Sequence, residues 1–230
     1  MNYSFYLLVI FLLFTIVFIP YMDLLHLQEG LTNKLDSNII LIGDSMLNNS
    51  TYIDIDNDNK DNSIPGLIKQ SEGTRLHNYA KDGAIIDDCY SQIDLITNKN
   101  KNIKTKNALI FISAGGNNII NERNKNTIDY EFVNNLFQTY STMVLHIKQM
   151  CPEATIYLLN LYKPTKPQYS KLYQYIDQWN SLIDEFSQKN DLKVIQTNKL
   201  LILNTDFIYD YEPSKTGSQK IADAIIQVSS

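Results

Sequence analysis

Four short stretches of this chain carry side chains of the kinds that move acyl groups. The first is Gly43-Asp44-Ser45-Met46-Leu47-Asn48-Asn49, which follows a compact apolar run. A serine on a tight strand-to-helix turn presents its hydroxyl to a substrate and lies near a helix N-terminus. Both features favour a nucleophile whose product oxygen becomes negative. Taken alone, Gly-Asp-Ser reads first as a polar turn in which Asp44 or Ser45 caps the next helix. The second stretch, Ala80-Lys81-Asp82-Gly83-Ala84, sets Gly83 where a backbone amide can approach the same space; a glycine there is equally explained by a positive φ. The third, Ser113-Ala114-Gly115-Gly116-Asn117-Asn118, brings an amide donor to a sheet edge, where Asn117 can donate to an oxyanion without carrying charge. The fourth, Asp210-Tyr211-Glu212-Pro213-Ser214-Lys215-Thr216-Gly217, puts a glutamate immediately before the mouth of a helix.

These stretches have meaning only if the fold gathers them. Asn38–Gly43, Ala108–Gly116 and Ala154–Tyr162 are apolar runs bounded by turn residues, as buried parallel strands would be, and Arg75–Tyr79 and Leu192–Thr197 are shorter candidates. Between them, Phe132, Leu136, Tyr140, Met143, Val144 and Ile147 recur at helical spacing. So do Leu172, Tyr175, Ile176, Trp179, Leu182, Ile183 and Phe186, and, at the end of the chain, Ile221, Ile225 and Val228. Strand–helix alternation implies a parallel sheet covered by helices on both sides, a flavodoxin-like three-layer α/β/α sandwich. Ligands in such folds bind beyond the carboxyl ends of the strands, which is where the first three stretches fall.

Together these residues resemble the SGNH hydrolases, also called the GDSL esterase/lipase family, whose signature is a serine, a glycine, an asparagine and a histidine in that order. Ser45 matches the nucleophile, Gly83 the glycine and Asn117 the asparagine, with Asn118 where the family usually has aspartate. The resemblance runs from about Ile39 to Ile226 and implies ester hydrolysis through an acyl-serine intermediate. The oxyanion would be held by the amides of Ser45 and Gly83 and the side chain of Asn117. It implies no cofactor and no metal.

The histidine is missing. Alignment on Pro213 and Gly217 sets Glu212 at its position and Tyr209 at that of the preceding aspartate. Of the three histidines, His26 lies just beyond the first apolar segment, His77 in or beside the second strand, and His146 near the end of a helix that leads away from the crevice. Glu212 is therefore the candidate base, supported by Asp210, although an ordinary glutamate at about 4.3 is roughly two units below histidine. Burial or neighbouring acids would raise it. Members of the superfamily that carry Glu-Pro-Ser here resemble this chain at Asn49, Tyr52, Asp82, Gly83 and Ala84. In the alternative reading Glu212 is a first-turn acid favoured by the helix dipole, and the pocket binds without turnover. Acyl transfer onto a glycan is a third reading that the same nucleophile supports.

Composition bounds the partners. A net charge of −5 argues against nucleic acid, which requires a clustered cationic face, and the lysines of Lys99–Lys106 are spaced by asparagines as in a solvated loop. The substrate that the resemblance implies is a small ester or an acylated glycan. Cys89 and Cys151 have no metal or redox spacing and read as two unrelated thiols. The acidic string Asp54–Asn59 lacks the glycine and closing glutamate of a calcium loop. Tyr3–Met22 contains no charged side chain and is long enough to span a bilayer. Residues 1–22 are therefore expected to form a single-pass membrane anchor, residues 23–36 a polar linker and residues 37–230 the catalytic domain. Asn48 and Asn49 each begin an Asn-x-Ser/Thr sequon, where a glycan would crowd the crevice.

Overall fold

The computed structural model describes residues 37–53, 60–99, 103–123 and 128–229. The expected anchor and linker, and the acidic string Asp54–Asn59, lie outside the described residues. Among those described, no helix is long and apolar enough to cross a membrane.

Five parallel strands form one sheet: β1 (Ile39–Gly43), β2 (Leu76–Asn78), β3 (Leu109–Ser113), β4 (Thr155–Leu159) and β5 (Lys193–Ile195), in the order β2-β1-β3-β4-β5. β1 and β3 are buried along their whole length and pair from Ile39 with Leu109 to Gly43 with Ser113. Their uninterrupted apolar sequence follows from helices covering both faces. The strand order reverses direction between β1 and β3, which opens a crevice at their carboxyl ends. All five expected strands are present, each shorter than its apolar run.

The helices start where the sequence supplies caps. The Ser63 hydroxyl accepts from Gly66 N at 3.1 Å to open α1 (Ile64–Glu72), with Pro65 in its first turn. α2 spans Asp88–Asp94 and α3 spans Gly116–Arg123. Asp129 accepts from Phe132 N at 2.7 Å to open α4 (Tyr130–Met150), and α5 spans Tyr173–Lys189. Along α4 the fully buried stripe is Val133, Phe137, Tyr140, Met143, Val144 and Ile147. Phe132 and Leu136, expected in that stripe, are only partly buried. The phase is set by Phe137, whose ring packs edge-on against Trp179 of α5 at 5.2 Å. Trp179 in turn explains a glycine: Gly115 has φ +102°, and a Cβ there would lie 2.3 Å from the indole.

After the single turn Thr197–Leu200, a two-residue hairpin that the sequence did not announce joins β6 (Phe207–Ile208) to β7 (Glu212–Pro213). It leads into α6 (Lys215–Ser229), which packs against α1. Cys89 and Cys151 are buried free thiols.

Candidate active site

The turn that carries Ser45 is shaped by the close approach of β1 to β3. Gly43 has φ +128°, and a Cβ there would stand 1.7 Å from the Ser113 carbonyl oxygen, so only glycine fits. Its polar atoms are held by one buried side chain: Gly43 N donates to Gln92 Oε1 at 2.6 Å, and Gln92 Nε2 donates to Gly43 O at 3.0 Å. Asp44 is buried behind the turn, where its Oδ1 accepts from Ser113 Oγ at 2.6 Å and from Met46 N at 3.1 Å. Burial, only partly offset by those two bonds, raises its carboxyl to about 7. Ser45 itself is 7 % exposed. The helix expected to follow it is a single turn, closed by Leu47 N and Asn48 N on Asp44 O, and α1 begins only at Ile64.

Asn117 lies in the first turn of α3 and not in a loop. Its Nδ2 donates to Ala84 O at 2.8 Å, while the neighbouring Asn118 Oδ1 accepts from Ile86 N at 3.2 Å. The two asparagines thus bind the end of β3 to the segment that follows β2. Gly83, in that segment, has φ +75°, is exposed, and does not line the pocket.

Glu212 arrives on the hairpin. Two residues without glycine's freedom, Tyr209 and Asp210, take positive φ (49° and 76°) at its tip. Its base is pinned by Asp206, which is fully buried, pairs with Lys220 at 2.8 Å, and accepts from Ile202 N and Leu203 N. Burial alone would raise Asp206, but Lys220 and the two amides outweigh it and hold the carboxyl below its ordinary value. A Cβ on Gly217 would stand 2.3 Å from the Asp206 carbonyl oxygen. The Ser214 hydroxyl accepts from Gly217 N at 3.2 Å, so the serine after the proline opens α6 and leaves Glu212 free of that duty. Tyr162 Oη donates to the Tyr211 carbonyl at 2.7 Å, a second tether beside the glutamate.

The Ser45 side chain lies close enough to the Glu212 carboxylate to act on its ionisation, and Tyr52 Oη donates to Glu212 Oε2 at 2.5 Å. Burial raises the Glu212 carboxyl above its ordinary 4.5; the Tyr52 and Ser45 hydroxyls pull it back and the charge of Asp82 adds to the rise. Asp210, expected to support it, faces elsewhere: it accepts from Gln168 Nε2 at 2.8 Å and lies 3.8 Å from Lys166 Nζ. The left-handed turn swings its side chain away from the crevice. Neither described histidine approaches. His77 lies in β2 beside Asn38, and the His146 ring packs against Tyr90 at 5.4 Å.

Ser45, Asn117 and Glu212 line one cleft of about 510 Å³, counting its solvent-open mouth. Its remaining walls are mostly apolar, with Ile119, Ile120, Leu161, Leu172 and Ile176 among them. The backbone of Leu161 is fixed by Asn180, which accepts from its N at 2.8 Å and donates to its O at 2.7 Å. Tyr52, which reaches Glu212, and Asn49, which reaches Pro213 and Ser218, are the site residues that spacing alone could not place, since each meets its partners across about 160 positions of sequence.

With the switch-point crevice and its serine, asparagine and glutamate in place, the class is clear: the chain belongs to the GDSL-like lipase/acylhydrolase family, whose family model matches residues 41–219. No curated protein matches the chain by sequence. Among solved structures it is similar to a lipase from goat rumen metagenome, at 18 % identity and TM-score 0.64 over 84 % of this chain and 97 % of that one. It is similar also to phospholipase A1 from Streptomyces albidoflavus NA297, at 13 % identity and TM-score 0.62 over 84 % and 99 %. A third, a psychrotrophic esterase from Pseudoalteromonas sp., matches at 14 % identity and TM-score 0.59 over 84 % and 96 %. At these identities the likeness is one of fold.

Proposed function

We propose that the protein is a serine-dependent ester hydrolase of the esterase or deacetylase type. The observation that carries this reading is that Ser45, Asn117 and the half-buried Glu212 carboxylate line one mostly apolar cleft. Ser45 Oγ attacks the ester carbonyl carbon while Glu212 takes its proton. The oxyanion is met by the Ser45 backbone amide and by Asn117 Nδ2, both on the cleft wall, whereas Gly83 stands outside it. Collapse expels the alcohol, which leaves with the proton from Glu212, and water then releases the acid from Ser45 by the same steps in reverse. Glu212 serves because burial and Asp82 raise its basicity toward the working range. Substitution of a sugar hydroxyl for that water would make the same site a glycan O-acyltransferase. Residues 1–22 would tether the domain to a membrane as a single-pass anchor.

The test is hydrolysis of p-nitrophenyl acetate by the full-length chain in mild detergent, with Ser45→Ala and Glu212→Gln alongside. Loss of turnover in both variants, with folds retained, is the expected result. Turnover that survives Ser45→Ala removes the acyl-serine mechanism. An acylated sugar acceptor appearing at the expense of free acid would assign the transferase.

A further inference from the structure

A histidine base and a carboxylate base need opposite neighbours. Neutral imidazole accepts from the serine at one ring nitrogen and gives its single N–H to an acceptor, which is why an aspartate stands behind it in serine triads. A carboxylate has no proton to give; it accepts hydrogen bonds, and a second carboxylate against it repels. At the position aligned with that aspartate this chain has Tyr209, 68 % exposed and turned outward at the hairpin tip. Asp210 beside it is occupied by Gln168 and Lys166. The side chain that does reach Glu212 comes from 160 positions earlier: the Tyr52 phenol, at 2.5 Å.

We propose that Tyr52 is the positioning residue of the catalytic base: a hydrogen-bond donor that takes the place of the acceptor aspartate and keeps the Glu212 carboxylate turned towards Ser45. This rests on the reading of Glu212 as base given above. The geometry suits the task. The Tyr52 ring is itself half-buried and braced edge-on by Tyr209 at 6.1 Å and 75°, so the exposed tyrosine at the old aspartate position steadies the new partner. Burial, with the charge of Glu212 next, pushes the phenol well above its ordinary value, so it remains a donor throughout the range in which an enzyme works. The ionisable groups that act on Glu212 or are acted on by it are Tyr52 and Asp44 from the β1 side, Asp82 from the segment after β2 and Tyr162 from the segment after β4. None is a cation, so the hydroxyls of Tyr52 and Ser45 are what hold the Glu212 carboxylate against burial and its acidic neighbours.

The experiment uses the full-length chain in mild detergent with p-nitrophenyl acetate across pH 5 to 9. Tyr52→Phe, Glu212→Gln and the double variant are compared, with thermal melts to confirm folding. Tyr52→Phe keeps the ring and removes one charge-assisted bond, so kcat should fall about 10- to 100-fold while KM changes by less than about twofold. The acidic limb of kcat/KM should move to higher pH, which mere packing would not do, and the double variant should be no slower than Glu212→Gln. Tyr52→Phe with unchanged kcat and an unmoved limb, beside an inactive Glu212→Gln, overturns the role of Tyr52 and leaves the base standing. An active Glu212→Gln overturns both. If Tyr52→Phe does not fold, 2,3-difluorotyrosine at position 52, a stronger donor, should move the limb to lower pH; an unmoved limb overturns the proposal.

Discussion

The side-chain amide of Asn49 donates to the carbonyl of Pro213, 164 positions away, at 3.4 Å and to Ser218 Oγ at 2.6 Å, so the loop that carries Ser45 is tied to the residue beside the Glu212 carboxylate. The same side chain accepts from Ile64 N at 2.8 Å and is completely buried. One asparagine thus joins the start of α1, the start of α6 and β7. Asn49→Ala would strand a buried N–H and loosen the loop, at a cost of about 2–4 kcal/mol. Urea unfolding measures this, and a loss below about 1 kcal/mol would deny the clamp.

Gly43 carries the most constrained backbone of the site. Gly43→Ala puts a methyl group 1.7 Å from a backbone oxygen that has no freedom to withdraw, since Ser113 is in the middle of the sheet. The expected loss is about 3 kcal/mol or more, with turnover falling alongside because the next residues are Asp44 and Ser45. Equilibrium unfolding and ester hydrolysis on one preparation report both. A stable, active Gly43→Ala would show that β1 and β3 can separate at their ends.

Asp44 gives stability a dependence on pH of unusual sign. Its folded carboxyl is raised from 3.8 to about 7, so between those values the folded state binds the extra proton and stability falls as pH rises. Asp44→Asn keeps an acceptor for Ser113 and Met46 and removes the titration. Stability of Asp44→Asn relative to the parent should therefore increase from pH 4 to pH 8, by an amount on the order of 2–4 kcal/mol. Chemical denaturation at several pH values measures the difference, and a flat difference curve counts against the shift.

Ile176 lines the cleft from α5 and is 4 % exposed. Ile176→Phe should shorten the apolar space next to Ser45, so hydrolysis of an octanoyl ester would fall about tenfold or more relative to an acetyl ester. The ratio of kcat/KM for the two esters is the measurement. An unchanged ratio would place the acyl chain elsewhere.

Sequence patterning exposed the sheet because β1, β3 and β4 are apolar runs with nothing to confuse their period, and it gave the crevice because glycines and asparagines end those runs. It misplaced the stripe of α4 by one position at its N-terminal end, where Phe137 follows a tryptophan on another helix. It also expected a helix after Ser45, whereas the chain makes one turn and leaves. The hairpin β6–β7 escaped altogether: two-residue strands have no period, and its left-handed tip is built without glycine. Asp210 was chosen as partner for Glu212 from proximity in sequence. Its true neighbours, Tyr52 and Ser45, are supplied by tertiary contacts that only the closed fold reveals.

The burial of Asn49 also bears on how this protein can be manufactured. Its sequon is intact in the nascent chain, and oligosaccharide is attached to an asparagine amide before folding hides it. Here both hydrogens of that amide are already committed, to Pro213 and Ser218, inside a wall with no exposed surface. A chain that entered a eukaryotic secretory pathway and acquired sugar at Asn49 could never close the loop that holds Ser45. Expression in a host or compartment without N-glycosylation leaves the loop that carries Ser45 free to close.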